Sequence, residues 1–354
     1  ERAVPGFEAL TATIGLDALY DLTDQRLIAT GRSWVPPTDY RSLAPFAQAN
    51  LALFDKKLRI AGGVRHEDVK ISIDDYTTLA SYGGVAVSGG TPRFSDTLIN
   101  GGVILEPWAG IRAYASYAEG YTVPDVGRIA RAVGTAGVDI DDYVNIEPIV
   151  SNNREIGIEL KRGPLDASAA YFWSTSKNGS LLVQTAIGAP FEIQRQRVEI
   201  QGLELNLSVK TPLPFLTLST GYAHLSGRTD GSANGIDVVD RDLDGANISP
   251  DRLNIAASYV QGPLSARIQT QFFLSRQFER TPNAYPALYR FGGYDTTDIS
   301  LRYQTGFGAL SLSAQNIFDS FYIDYYSQTV RPNDNAHYFA GRGRNFTLSW
   351  DYRF

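Results

Sequence analysis

The chain has 354 residues, 43% of them hydrophobic, a formal net charge of −6, and neither cysteine nor methionine. No stretch approaches the ~18 continuous apolar residues of a membrane helix, which excludes a helical membrane protein; the lack of cysteine excludes disulfides and thiolate metal sites. Lysine and arginine are scattered rather than clustered, so no nucleic-acid footprint is present.

What remains is a large soluble protein or a membrane barrel whose apolar residues are hidden in alternation. The chain opens at Glu1 without a secretory leader, which reads as a mature form or a fragment. Segments of period two predict about 14 strands. In 155–161, Ile156, Ile158 and Leu160 share one side and Glu155 and Glu159 the other. In 165–174, Leu165, Ala167, Ala169, Tyr171 and Trp173 oppose Asp166 and Ser168. Further along, the apolar phase slips, from Val198 and Ile200 to Leu203, Leu205 and Leu207. A bulge at Gln201 and Gly202 is expected to restore the faces, since glycine suits such a kink. The alternation resumes in 253–259, 266–275, 298–303 and 310–315, with Arg267, Asp298 and Arg302 on polar faces. It ends in 346–354, where Phe346, Leu348, Trp350, Tyr352 and Phe354 oppose Thr347, Ser349, Asp351 and Arg353.

Alternation does not tell inside from outside; the connections do. Tight turns at 55–57, 106–110, 161–164, 210–214, 261–263 and 304–308 alternate with long excursions. The excursions are expected at 23–45, 68–94, 121–151, 175–196, 226–251, 277–293 and 317–343. Each exceeds the ~15 residues beyond which loops in compact soluble domains are uncommon. Short turns at one rim and long loops at the other are the pattern of an outer-membrane barrel. The expected fold is therefore an all-β, transmembrane antiparallel β-barrel. Tyrosine, 20 of the residues, suits the girdles at the two interfaces.

Five segments together resemble the C-terminal part of the barrel of TonB-dependent outer-membrane receptors. They are YASYAEGYTVP at 114–124, NREIGIELK at 153–161, GLEL at 202–205, NIFDSFY at 316–322 and GRGRNFTLSWDYRF at 341–354. Glu147 and Pro148 depart from the family's more usual Pro-Glu order. The resemblance implies a plugged barrel of roughly 22 strands, of which this chain supplies the last 14 or so. The N-terminal plug and early strands would be absent; the rival reading is a complete smaller barrel. It also implies the bacterial outer membrane, with its lipid and lipopolysaccharide as neighbours. The implied activity is import of a ferric siderophore, released inward when the TonB–ExbB–ExbD complex pulls on the plug. Other cargo (cobalamin, an oligosaccharide, haem) and a passive porin-like barrel are the alternatives. No catalysis and no covalently bound cofactor are implied. His224, with Ser226 and Asp230 nearby, lacks any nucleophile frame.

The candidate ligand residues are loop arginines, which suit an anionic chelate, and loop aromatics, which suit its flat faces. They are Arg128, Arg131 and Tyr143; Tyr285, Tyr289, Arg290 and Tyr294; and Tyr322, Tyr325, Tyr326, Arg331, His337 and Tyr338. The run PDVGR at 124–128 is similar to receptors for aerobactin and related citrate-hydroxamate siderophores. Loop tyrosines also pack against neighbouring loops for purely structural reasons. Asp240, Asp242, Asp244 and Asp251 have calcium-loop spacing around Gly245. Pro250 excludes an EF-hand, leaving either a bare Ca²⁺ loop or a solvated Asp-Gly turn. His66, His224 and His337 have no metal-ligand spacing.

Overall fold

The computed structural model describes residues 2–4, 7–123, 125–143, 148–184, 191–230, 239–243, 245, 247–279, 288–329 and 335–352. Nearly every strand belongs to one 16-stranded sheet, in which each long strand lies beside its predecessor and its successor in the chain. Two compact units divide it, and each shows the same construction.

In the first unit, strands Phe7–Arg26, Ser33–Leu53 and Leu58–Ile73 pair antiparallel in succession. On Leu58–Ile73, Ile60 and Val64 each expose 44% of their surface, on the side shared with Leu43, Ala47 and Leu51. Towards the long-loop end the polarity reverses. Lys70 and Ser72 now stand on that same side, while Val69, Ile71 and Ile73 on the other are 0%, 3% and 4% exposed. Those three pack with Val87, Phe94, Val126, Ala130, Val133 and Ile140 from the excursions that follow. Side-chain parity along the strand is fixed by the backbone, so the surroundings have changed and the register has not.

The second unit repeats this on Phe191–Lys210. Leu203, Leu205 and Leu207 stand on one face, and Val198 and Ile200 on the opposite face join a loop core with Leu243, Ile248, Phe278, Phe291 and Tyr325. The expected bulge is absent: Gln201 pairs Ser226 and Gly202 pairs Leu225 in an unbroken register. Gly202 serves a different need. A Cβ there would lie 2.6 Å from the Phe172 ring and 2.9 Å from the His224 carbonyl oxygen.

Two expected excursions are largely strand. Residues 23–45 pair as far as Arg26 with Ser33, leaving a short turn, and 175–196 is mostly taken up by Leu165–Gln184 and Phe191–Lys210. Pro36 and Pro37 disguise the first. They sit where the ladder to Phe7–Arg26 shifts register, so their missing N–H groups are not needed. The remaining excursions carry short helices and two small hairpins. The tight turns stand as expected. Gly110, at φ 80°, closes one so tightly that a Cβ would meet the Lys161 carbonyl oxygen at 2.0 Å.

Polar faces carry ladders. Arg112 pairs with Glu159 at 3.2 Å, Arg267 donates to Ser258 at 2.8 Å, and Arg302 meets Asp351 at 3.1 Å. Asp298, on the same polar face as Arg302, accepts the Asn316 backbone N–H at 2.9 Å. Asn316 is buried with φ 48°; its amide nitrogen donates to the carbonyls of Ser320 and Arg342, and its amide oxygen accepts the Ser320 N–H. This knot explains the NIFDSFY segment.

Replacing Asn316 with Ala leaves buried backbone groups unpaired and should cost about 1–3 kcal/mol or more, read as a lower unfolding temperature in detergent. Leu348 stands on the exposed apolar face opposite Leu312, and Ser349 on the polar face opposite Ser311. Leu348→Arg should destabilise by about 2–4 kcal/mol near the bilayer midplane, and Ser349→Arg by much less; equal costs in refolding into bilayers would refute the face assignment.

Candidate ligand-binding site

Three antiparallel strands of the second unit, Arg252–Gln261, Leu264–Phe273 and Tyr294–Thr305, place Arg252, Phe273 and Tyr294 directly opposite one another. All three stand on the face that carries Arg267, Asp298 and Arg302, at the long-loop end. The Arg252 guanidinium lies over the Phe273 ring at 5.6 Å. Phe273 stacks on Tyr294, and Tyr294 on Tyr322, each at 4.5 Å and 23°. A cation and three rings thus form one continuous row, which β-register assembles from segments far apart in the chain. Stacked pairs of this kind contribute about 0.5–1.5 kcal/mol each beyond area burial.

The row borders a cavity of about 390 Å³ whose lining includes Asn247, Ser249, Arg252, Tyr294, Asp324 and Tyr326. Folded loop surrounds it. Phe291 meets Tyr294 and Tyr325 edge-on, and Phe278 stacks on Tyr289 at 4.7 Å. Arg276 acts as a strut, donating to the carbonyls of Leu225 at 2.7 Å and Ser249 at 3.1 Å. Asp324 caps the turn Tyr325–Thr329, accepting the Ser327 N–H at 3.0 Å and hydroxyl at 2.7 Å. Its carboxylate is thereby held in place by neutral donors and keeps its charge, so the cavity lining carries one cation, Arg252, and one anion, Asp324. A guanidinium beside aromatic faces at the edge of a cavity suits a ligand with carboxylate groups and a flat or apolar body.

The candidate residues divide. Tyr322 is in the row and Tyr326 is exposed at the cavity edge. Tyr325 lines it from within the loop core, being 8% exposed. Tyr289 is structural, since its hydroxyl accepts the Gly245 N–H at 2.9 Å. Arg290 is exposed on the other side of the hairpin formed by Arg276–Glu279 and Leu288–Phe291. His337 and Tyr338 are half-buried around the turn Asn335–His337. Tyr285 and Arg331 lie outside the described residues.

Arg128 and Arg131 belong to the first unit, on the short helix Val126–Arg131. Asp125 accepts the Arg128 N–H at 3.0 Å, and Arg131 lies over Trp34 at 4.7 Å. Arg128 is exposed and Arg131 is committed to Trp34. Tyr143 ends the helical turn Ile140–Tyr143, with its side chain outside the described residues.

Of the acidic loop, Asp242 pairs in register with Arg228 in a short bridge. Asp251 stands opposite the cavity side, accepting from Tyr222 at 3.2 Å and touching His224 Nδ1 at 2.7 Å. Asp240 precedes the bridge, and Asp244 lies outside the described residues. Among the described residues no group of three or more His, Asp or Glu is disposed to hold a metal ion.

Arg252 and Phe273 were missed in sequence. The available signal was the Phe272-Phe273 pair, which must put one ring on the polar face. Its alignment with Arg252 depends on register.

Residues 6–317 match the family described as TonB dependent receptor-like, beta-barrel. The ferric aerobactin receptor of Klebsiella pneumoniae is 24% identical over 362 aligned residues, covering 94% of this chain and 46% of that protein. The ferric aerobactin receptor of Escherichia coli is likewise 24% identical, with the same coverage. The chain thus spans about half the length of the curated relatives it matches. Among solved structures, the copper transporter OprC superposes with TM-score 0.77 at 15% identity, covering 98% of this chain and 55% of OprC. The ferric yersiniabactin uptake receptor FyuA of Yersinia pestis gives 0.66 at 18%, covering 96% of this chain and 49% of FyuA. At these identities the structural likeness is one of fold.

Proposed function

Because the chain belongs to the TonB dependent receptor-like β-barrel family, whose barrels lie in the bacterial outer membrane, we propose that it forms the wall and outer loops of a receptor importing a ferric siderophore of citrate-hydroxamate type. The observation that carries this reading is the row Arg252, Phe273, Tyr294 and Tyr322, the first three of which line the cavity. The two ferric aerobactin receptors among its relatives support the choice of cargo.

A citrate-based chelate presents carboxylates together with a metal-bound, partly apolar body. Arg252 would donate charge-assisted hydrogen bonds to a carboxylate, and the exposed edges of Tyr294, Tyr322 and Tyr326 would pack against the body. The packed loop core holds these groups in place before the ligand arrives, which lowers the ordering cost of binding. The greater length of the relatives leaves room for a plug and early strands, through which the TonB–ExbB–ExbD complex would act. The present segment performs capture and forms the passage wall; its role is binding, with no bond chemistry.

Equilibrium binding of ferric aerobactin to the intact receptor tests the reading. Arg252→Ala should remove about 1.5–3 kcal/mol of charge-assisted hydrogen bonding, weakening affinity roughly ten- to hundredfold. Arg290→Ala, at an exposed site turned away, should change it less than about threefold. Unaltered affinity in Arg252→Ala would overturn the assignment.

A further inference from the structure

A second cavity, about 370 Å³, opens on the opposite face of the second unit's sheet. Its lining includes Tyr171, Trp173, Glu199, Gln201, Ser226 and Arg228. Apart from Ser174 and Ile200, whose side chains belong to the other face, the lining has the parity of the apolar face: Glu199 pairs Arg228 and Gln201 pairs Ser226, on the side of Leu203, Leu205 and Leu207. The cavity therefore faces the membrane side and lies outside the passage.

Its height follows from strand length. A tilted strand crosses the hydrocarbon in about ten residues. Counted from the tight turns that precede Leu165 and follow Lys210, the crossing ends near Trp173 and Ile200. The cavity thus sits where the outer leaflet gives way to its polar layer. Tyr171 and Trp173, with ring centroids 5.8 Å apart and planes at 36°, form its floor. Above them the lining is polar and fixed. Tyr171 donates to the Gln201 side-chain oxygen at 2.9 Å, and Glu199 is paired with Arg197 at 2.7 Å. Arg228 is exposed and makes no ion pair with any described residue.

We infer that this cavity holds a sugar ring from the core of an outer-leaflet glycolipid, with Trp173 beneath the ring and Glu199, Gln201, Ser226 and Arg228 around its hydroxyls. The apolar C–H face of a pyranose packs on an aromatic ring, while its hydroxyls need a mixed set of donors and acceptors in the rim. A carboxylate, an amide, a hydroxyl and a guanidinium supply that set. A phosphate would require excess positive charge, whereas here Glu199 already engages Arg197 and the bridge places Asp242 beside Arg228. The inference rests on outer-membrane residence and is independent of which chelate is carried.

The test is native mass spectrometry of the intact receptor in detergent, titrated with two lipopolysaccharides. One bears the complete core; the other is a deep-rough form that keeps the lipid A phosphates but lacks the core hexoses. Full-core material should bind at least tenfold more tightly. Trp173→Ala and Arg228→Ala should each abolish the difference, and Trp173→Phe should retain most of it. Equal affinity for the two glycolipids, or an unchanged preference in both Trp173→Ala and Arg228→Ala, would overturn the proposal. Ferric aerobactin binding by the same variants should stay unaltered, so failure of the cargo reading registers in its own assay.

Discussion

A strand that leaves hydrocarbon for water cannot change which way its side chains point. Parity is set by the backbone, so only the chemistry of each face can change. In hydrocarbon the outer side must be apolar, because no solvent there satisfies polar groups; on Leu58–Ile73, Ile60 and Val64 meet that demand. Past the membrane the same side meets water, and the other side is free to hold something apolar. Val69, Ile71 and Ile73 hold a folded loop there, as Val198 and Ile200 do in the second unit. This exchange of polarity along one unbroken strand lets long excursions pack as small cores instead of trailing in solvent.

The row proposed to bind ligand depends on that exchange. Arg252, Phe273 and Tyr294 occupy the inner side of three neighbouring strands at the level where apolar groups become tolerable there. Phe291 and Tyr325 brace Tyr294 from the loops, and Arg276 ties the loop before Arg252 back to the wall. Opposite, at the same height, the membrane side turns from Leu203 and Leu205 to Gln201 and Glu199. One transition thus generates a vestibule on the inside and a polar shelf on the outside.

Much of this was readable in the sequence, because alternation and connection length both report the bilayer directly. The final strand, the tight turns and most excursions stand where they were expected. The misreadings share a cause. The phase slip between Ile200 and Leu203 looked like a bulge because the reading assumed that one face stays apolar throughout, whereas the register through Gly202 is unbroken. Residues 23–45 and 175–196 looked like loop because strands extending into water lose their apolar alternation. Pro36 and Pro37 strengthened that impression at an irregular stretch of ladder. The proposed site was half legible: tyrosine-rich excursions pointed to the region around 322–326, where Tyr322 joins the stacked row and Tyr326 lines the cavity. The arginine and phenylalanine that complete the row come from strand ends, and only cross-strand register brings them together.

The absence of native cysteine from this chain permits the most direct test. Single cysteines carrying nitroxide labels, placed at each position from 60 to 73 in the bilayer-reconstituted receptor, would report collisions with dissolved oxygen and with an aqueous relaxant. Labels at 60 and 64 should meet oxygen, labels at 70 and 72 the aqueous relaxant, and labels at 69, 71 and 73 neither. If 70 and 72 behave like 60 and 64, or if 69, 71 and 73 prove open to water, polarity does not reverse along the strand and the account fails.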